Sequence, residues 1–333
     1  SQLVNIHNNF FKSHVTKDIA WRISQLINLK KIIKENEAHI CQALADDLSK
    51  PYQESWMAEV SYVTSEIDHT IKNIHKWSKD RKVSTPITAL PGKSYIKPEP
   101  QGTVLIIGAW NYPFQLLLAP LVAVIAAGNC AILKPSELAP ATAKLLSTLI
   151  PKALEKKAYS LVEGGIEQTT ELLACKFDHI MYTGNGRVAK IVMAAAAKNL
   201  TQVTLELGGK SPVFVDKSAN IKISAQRIAW GKWLNAGQTC VAPDYIMVEE
   251  CTLKPLVDAL IKEINLMFGS QPKASSSYGR IINKQHCKRL SEYIFGEEIV
   301  AGGEFDISTK YVSPTLVINP SLEFLALYYP SSL

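Results

Sequence analysis

The chain opens with helical periodicity and then changes texture. Between residues 17 and 50, Ile23, Leu26, Ile27, Ile33, Ile40 and Leu44 recur at helical spacing, with Asp18 placed to cap the first turn. A second helical stretch is predicted from about Gln53 to Lys79. Residues 83–102, VSTPITALPGKSYIKPEPQG, break the pattern with four prolines. They read either as a linker or as an arm, SYIKPEP, whose edge strand pairs with another subunit.

From Thr103 short apolar runs alternate with helical patterns. TVLIIG is β-branched, uncharged and closed by glycine, as a buried parallel strand requires. FQLLLAPLVAVIAAG predicts a helix, CAILKP a strand, ATAKLLSTLI a helix, DHIMYTG a strand and VAKIVMAAAAKNL a helix. Such alternation implies a doubly wound α/β sheet. Sheets of this kind bind ligands beyond the carboxyl ends of their strands. GAWNYPF, KPSE and TGNGRVA, which follow the predicted strands, are therefore the informative segments. After TLELGGKSP (204–212) a second α/β region begins. It carries a helix from about Ala219 to Leu234, the loop NAGQTCVAPDY, a strand YIMVEE and a helix from Leu253 to Met267.

Composition narrows the possibilities. A length of 333 residues predicts two domains or one large α/β unit. The net charge of +6 is dispersed, without the basic run or patch that nucleic-acid binding needs. Six cysteines lie far apart with no CxxC pair, which argues against a zinc site and against a disulfide scaffold. No metal is predicted, and reduced thiols point to a cytoplasmic location. The N-terminal residues lack a signal-peptide pattern. Gly102 to Leu133 is uncharged and long enough for a membrane span, but Asn111, Tyr112, Pro113, Gln115, Pro120 and Asn129 interrupt it. A buried strand–helix–strand is the expectation there, not a transmembrane segment.

Cys240 stands in a loop of small and polar residues, three after Gly237 and three before Pro243. A thiol attacks as thiolate, and backbone N–H groups in such a loop can stabilise both the thiolate and an oxyanion formed by its attack. A buried, inert cysteine is the other reading. Resolving a covalent intermediate needs a base to activate water. Glu206 lies in an apolar run just before Gly208 and Gly209, and a carboxylate in apolar surroundings suits that task. An ion pair with Lys210 is equally open.

Taken together, GAWNYPF, AAGNCAILKPSELAPAT, FDHIMYTG, VTLELGGKSPVFVD, NAGQTCVAPDY and YGRIIN resemble the aldehyde dehydrogenase superfamily. CVAPDY and the NYPF loop are similar to its class 3, or fatty-aldehyde, branch. The likeness covers roughly residues 10–320. It implies a Rossmann-like NAD(P)-binding domain with N-terminal helices over 1–207, its oligomerisation arm near 83–102, and an α/β catalytic domain over 208–320. It also implies oxidation of medium- or long-chain aliphatic or aromatic aldehydes to carboxylic acids with NAD or NADP, in a homodimer. Cys240 corresponds to the nucleophile that gives a thiohemiacetal and then a thioester. Asn111 matches the oxyanion donor and Glu206 the base. Trp110, Lys134, Glu137, Gly184, Asn185, Gly186, Val188 and Ala189 fall at cofactor-binding positions, with Lys134 and Glu137 near the ribose hydroxyls.

Two departures from the family pattern stand out. In TGNGRVA, Gly186 replaces a hydroxyl residue and Ala189 replaces a glycine of the Gly-x-Thr/Ser-x-x-Gly turn. After YVSPTLVINP the chain reads SLEFLALYYPSSL (321–333), without the family's Glu-x-Phe-Gly-Pro segment. The expectation is a C-terminally truncated member with an incomplete catalytic domain. A rival follows from these losses: a catalytically impaired homologue acting as a binding or interaction protein.

Overall fold

A capping carboxylate sets where the second helix begins. The computed structural model describes residues 2–320; the divergent tail at 321–333 lies outside the described residues. Helix α1 (Gln2–Lys12) precedes α2 (Ile19–Glu35), which starts where the Asp18 carboxylate accepts the Ala20 N–H at 3.0 Å. The 17–50 pattern divides at Asn36, and α3 (Glu37–Leu48) follows. The second helical stretch is α4 (Tyr52–Ser55), a π-helical turn at Trp56–Val60, and α5 (Ser61–Trp77). Such turns re-aim side chains within a helix, and here one faces Glu59 fully inward. Residues 81–96 are not a plain linker. Strand β1 (Arg81–Val83) pairs antiparallel with β2 (Ser94–Ile96) in a hairpin that exposes Ile87, Leu90 and Tyr95. SYI therefore finds a partner within its own chain.

The alternating region folds as β3 (Thr103–Ile107), α6 (Gln115–Ala127), β4 (Cys130–Lys134), α7 (Pro140–Ala153), β5 (Tyr159–Leu161), α8 (Ile166–Leu173), β6 (His179–Gly184), α9 (Gly186–Ala197) and β7 (Gln202–Leu207). The strands make a five-stranded parallel sheet in the order β5-β4-β3-β6-β7. All residues of β3 and β4 are buried. Their period of two sends Val104, Ile106, Ala131 and Leu133 to one face, against α2, α3, α5, α6 and α7. Leu105, Ile107 and Ile132 go to the other, against α1, α8 and α9. Each fully buried Leu or Ile contributes about 1.5–3 kcal/mol. The uncharged stretch 102–133 is thus the strand–helix–strand centre of a two-faced sheet. Among the described residues no helix is long and apolar enough to cross a membrane.

A further core lies beyond β7. It is built from β8 (Val213–Val215), α10 (Ile221–Trp233), β9 (Ile246–Val248) and α11 (Glu250–Phe268), with Val215, Trp233, Leu256, Leu260, Tyr278 and Tyr311 at its centre. Then follow α12 (Lys284–Tyr293), β10 (Glu298–Ala301), β11 (Phe305–Asp306), β12 (Tyr311–Val312) and β13 (Leu316–Ile318). Strand β8 pairs in parallel with β9, whereas β10 with β13 and β11 with β12 pair antiparallel.

Candidate active site

Helix α10 ends in an abrupt turn that creates the Cys240 loop. Asn235, Ala236 and Gly237 all take positive φ (54°, 52° and 80°). Glycine accepts this freely and asparagine tolerates it, but for Ala236 it is strained. Side chains from elsewhere hold the turn. The Asn235 N–H donates to Glu54 Oε2 at 2.8 Å, and Asn235 Nδ2 donates to the Asn111 carbonyl at 2.7 Å. Gln238 Nε2 donates to the Arg280 carbonyl at 3.0 Å, while its Oε1 accepts the Ile282 N–H at 3.0 Å. That ties YGRIIN to the loop. Burial raises the Glu54 carboxyl above its ordinary pKa, against the opposing pull of the Asn235 N–H and Lys50.

Cys240 is half-buried and lines a cavity of ≈ 200 Å³ together with Gly208, Gly209, Lys210, Lys232, Thr239 and Asp244. Lys210 is paired with Asp244, and Lys232 Nζ lies 3.9 Å from the same carboxylate. Desolvation lowers the Lys232 pKa, with Asp244 opposing. The thiol thus shares a pocket of mixed lining, with Gly208, Gly209, Lys210 and Asp244 beside Trp233, Ile281 and Leu290. A β-carbon at position 209 would stand 3.5 Å from the Cys240 carbonyl, an ordinary contact distance, so the two segments lie side by side.

Asn111 is 1% exposed. Its Nδ2 donates to the Gln238 carbonyl at 3.0 Å, and the neighbouring Tyr112 hydroxyl meets Thr239 Oγ1 at 2.7 Å. The NYPF turn is therefore fastened to the two residues that precede Cys240. An amide nitrogen carries two hydrogens, so one N–H of Asn111 is left to donate elsewhere.

Glu206 departs from the expectation. It is exposed, on the face of the strand opposite Leu205, and Leu207 after it is exposed as well. Strand β7 is an edge strand; Val203 and Leu205 pack toward the α1–α8–α9 core, and period-two alternation turns Gln202, Thr204 and Glu206 outward. The apolar surroundings inferred for Glu206 are absent. Its link to Cys240 is chain proximity: two residues on, Gly208 lines the cysteine's cavity. Lys210, the alternative partner, reaches Asp244 instead.

A second cavity, ≈ 910 Å³, opens beyond the carboxyl ends of β3, β4 and β6. Trp110, Lys134, Glu137, Gly184, Asn185 and Val188 all line it. Gly186 and Ala189 do not. Ala189 is 2% exposed within the helix–sheet core, so its methyl packs against that core rather than a ligand. Asn185 caps α9, its Oδ1 accepting the Val188 N–H at 2.9 Å. Lys134 Nζ donates to the Pro135 carbonyl at 2.5 Å and lies 3.5 Å from Glu137. Burial lowers its pKa, with Glu137 opposing. A side chain at Gly184 would collide with the Tyr182 hydroxyl, 2.3 Å from an added β-carbon.

Several lining groups were not singled out in the sequence: Arg187 of α9 and His286, Lys288 and Arg289 of α12. Trp110, His286 and Arg289 line both cavities, so the two spaces adjoin. The Trp110 and His286 rings lie 5.3 Å apart. Burial and then Arg289 lower the His286 pKa. The available signal was YGRIIN, whose Asn283 caps α12 by accepting the His286 N–H at 2.8 Å. With Lys134, Arg187, Lys288 and Arg289 set against Glu137 and Glu292, the cavity suits an anionic, elongated ligand. An adenine dinucleotide fits that chemistry: a buried ammonium and an exposed carboxylate for ribose hydroxyls, a capped helix start with a glycine before it, and room for the length.

The chain is similar to known proteins over nearly its whole length. The profile of the aldehyde dehydrogenase family matches residues 4–324. The mouse (Mus musculus) aldehyde dehydrogenase described as dimeric and NADP-preferring is 47% identical over 319 residues, covering 96% of this chain and 70% of the relative. Mouse aldehyde dehydrogenase family 3 member A2 is 46% identical over 309 residues, with 93% and 64% covered. In structure, the substrate-bound Staphylococcus aureus AldH superposes with a TM-score of 0.92 at 45% identity, over 95% of this chain and 69% of that one. The chain thus spans about two thirds of the length of these relatives.

Proposed function

This chain belongs to the aldehyde dehydrogenase family, and on that premise we propose that it oxidises aldehydes to carboxylic acids with NAD or NADP. The observation that carries the proposal is the joining of the two cavities: the space holding Cys240 and the space beyond the sheet share Trp110, His286 and Arg289. A thiol adduct formed in one lies next to a dinucleotide held in the other.

In this reading Cys240 Sγ attacks the aldehyde carbon. The free N–H of Asn111 and the backbone N–H of Cys240 receive the developing oxyanion. A bound nicotinamide dinucleotide supplies the acceptor for the hydride that leaves the thiohemiacetal, and a thioester remains on Cys240. Glu206 takes a proton from the water that hydrolyses it, releasing the acid. Lys134 and Glu137 would hold the adenosine ribose, while Gly184, Asn185 and Val188 would receive the phosphates. Trp110 walls off the junction between the two spaces. The intact set Asn111, Glu206 and Cys240 speaks for an enzyme over a binding-only homologue.

For the substrate we propose an apolar aldehyde, aliphatic of medium or long chain or aromatic. Exposed Val241 beside Cys240, and Trp233, Ile281 and Leu290 lining its cavity, offer apolar surface for such a chain. We keep the division into a cofactor unit over 1–207 and a catalytic unit over 208–320. A homodimer is proposed from the name of the mouse relative and from the apolar hairpin at 81–96. Six unpaired cysteines support a reducing, cytoplasmic setting.

The test is absorbance at 340 nm with an aldehyde series and each nucleotide. Turnover by the wild-type chain and its loss in Cys240→Ser are expected. Folded protein that reduces neither nucleotide with any aldehyde contradicts the proposal.

A further inference from the structure

We propose that the buried ion pair Lys50–Glu59 is a positioning device that aims Asn111 at the reaction centre. This inference rests on the reading of Asn111 as an oxyanion donor.

Both side chains are 0% exposed and they touch each other. Neither lines the cysteine cavity or the cavity beyond the sheet. A fully desolvated pair is an expensive way to stabilise a fold, since apolar residues of like volume serve as well or better. Its contacts show what the pair does hold. Glu59 Oε2 accepts the N–H groups of Phe114 at 2.9 Å and Gln115 at 3.1 Å, the first donors of α6. A carboxylate there also meets the positive end of the helix dipole. Lys50 Nζ donates to the Asn111 carbonyl at 3.0 Å and sits 4.2 Å over the Tyr112 ring. The pair therefore grips the NYPF turn at both ends.

That turn in turn grips the nucleophile's loop. Asn111 reaches the Gln238 carbonyl and Tyr112 reaches Thr239. The chain of contacts runs from Glu59 and Lys50, through residues 111–115, to the residue before Cys240. Loosening its first link lets the amide drift from the position an oxyanion requires. A drift of about 1 Å costs about a hundredfold in rate without weakening substrate binding.

The test compares Glu59→Gln, Lys50→Met and the double variant with the wild-type chain. Three quantities are read: kcat and KM, the nucleotide Kd, and amide hydrogen exchange over residues 111–116. The double variant removes both charges together, which keeps the test open if a single variant leaves one charge stranded and fails to fold. The expected result in every folded variant is a kcat ten- to a hundredfold lower, with KM and nucleotide Kd within about twofold. Exchange at 111–116 is at least tenfold faster. A purely structural pair predicts instead that the double variant regains wild-type kcat along with stability. Wild-type kcat together with unchanged exchange at 111–116 overturns the assignment. If the wild-type chain has no dehydrogenase activity, that defeats the proposed function. In that event the exchange measurement still decides whether the pair holds the turn.

Discussion

Asn111 Nδ2 donates to the carbonyl of Gln238 at 3.0 Å, joining positions 127 residues apart. This bond brings the NYPF turn and the Cys240 loop into one site. In the proposed reading the second amide N–H of Asn111 serves the developing oxyanion.

Asn111→Ala removes that donor. The expected outcome is a fall in kcat of about 10²–10³-fold, with KM changed only a few-fold, because the bond to the oxyanion exists chiefly in the transition state. Steady-state kinetics check it. A KM effect with kcat intact contradicts the role.

Lys134 is 2% exposed, and its ammonium faces the cavity beyond the sheet. Losing a charge-assisted hydrogen bond costs about 1.5–3 kcal/mol. Lys134→Ala is therefore expected to raise the Kd of both NAD and NADP by about 10- to 100-fold. Calorimetric titration measures this without turnover. Unchanged affinity for both nucleotides contradicts the placement of the ribose.

Ala189 tests a departure from the family pattern. Its methyl lies in the core beside Val192 and Tyr182, away from the nucleotide cavity. Ala189→Gly is expected to destabilise the fold by about 1 kcal/mol through helix propensity alone, and somewhat more through lost packing. Nucleotide Kd stays unchanged. Tighter binding without a loss of stability contradicts this.

His7 carries a pH dependence unrelated to catalysis. It is fully buried in α1, and desolvation lowers its pKa from 6.5 to about 4. Between these values the unfolded chain holds a proton that the native state refuses. The native fold is thus fully favoured above pH 6.5 and loses stability as pH falls toward about 4. The loss from this group is about 3 kcal/mol. In denaturant titrations, His7→Leu is expected to gain about that much relative to wild type between pH 7 and pH 4. A constant difference across the range contradicts the assignment.

The central sheet was legible because β3 and β4 are buried on both faces and carry no charge except Lys134. Asn111 and Cys240 were legible as a pair only through the family resemblance, since nothing local signals a bond spanning the sequence. Glu206 shows the opposite failure. Leu205 and Leu207 flank it in the chain, but a strand sends its neighbours to other faces. Strands β10 to β13 have two to four residues each, and pairs such as Glu298 with Ile318 leave no short-range pattern. Lys50 and Glu59 were not singled out in the sequence, since nothing local signals that two charges nine residues apart pair in the core. Glu59 lies in the π-helical turn Trp56–Val60 and Lys50 just before α4, and both are fully buried against each other.

The most direct test of the account is to trap the acyl enzyme. Wild-type chain is mixed with aldehyde and nucleotide, quenched in acid within one turnover, digested and analysed by mass spectrometry. The account predicts the acyl mass on the peptide carrying Cys240, dependent on nucleotide and absent in Cys240→Ser. Acid formed at full rate with no acyl mass on Cys240, or with that mass on another cysteine, contradicts it.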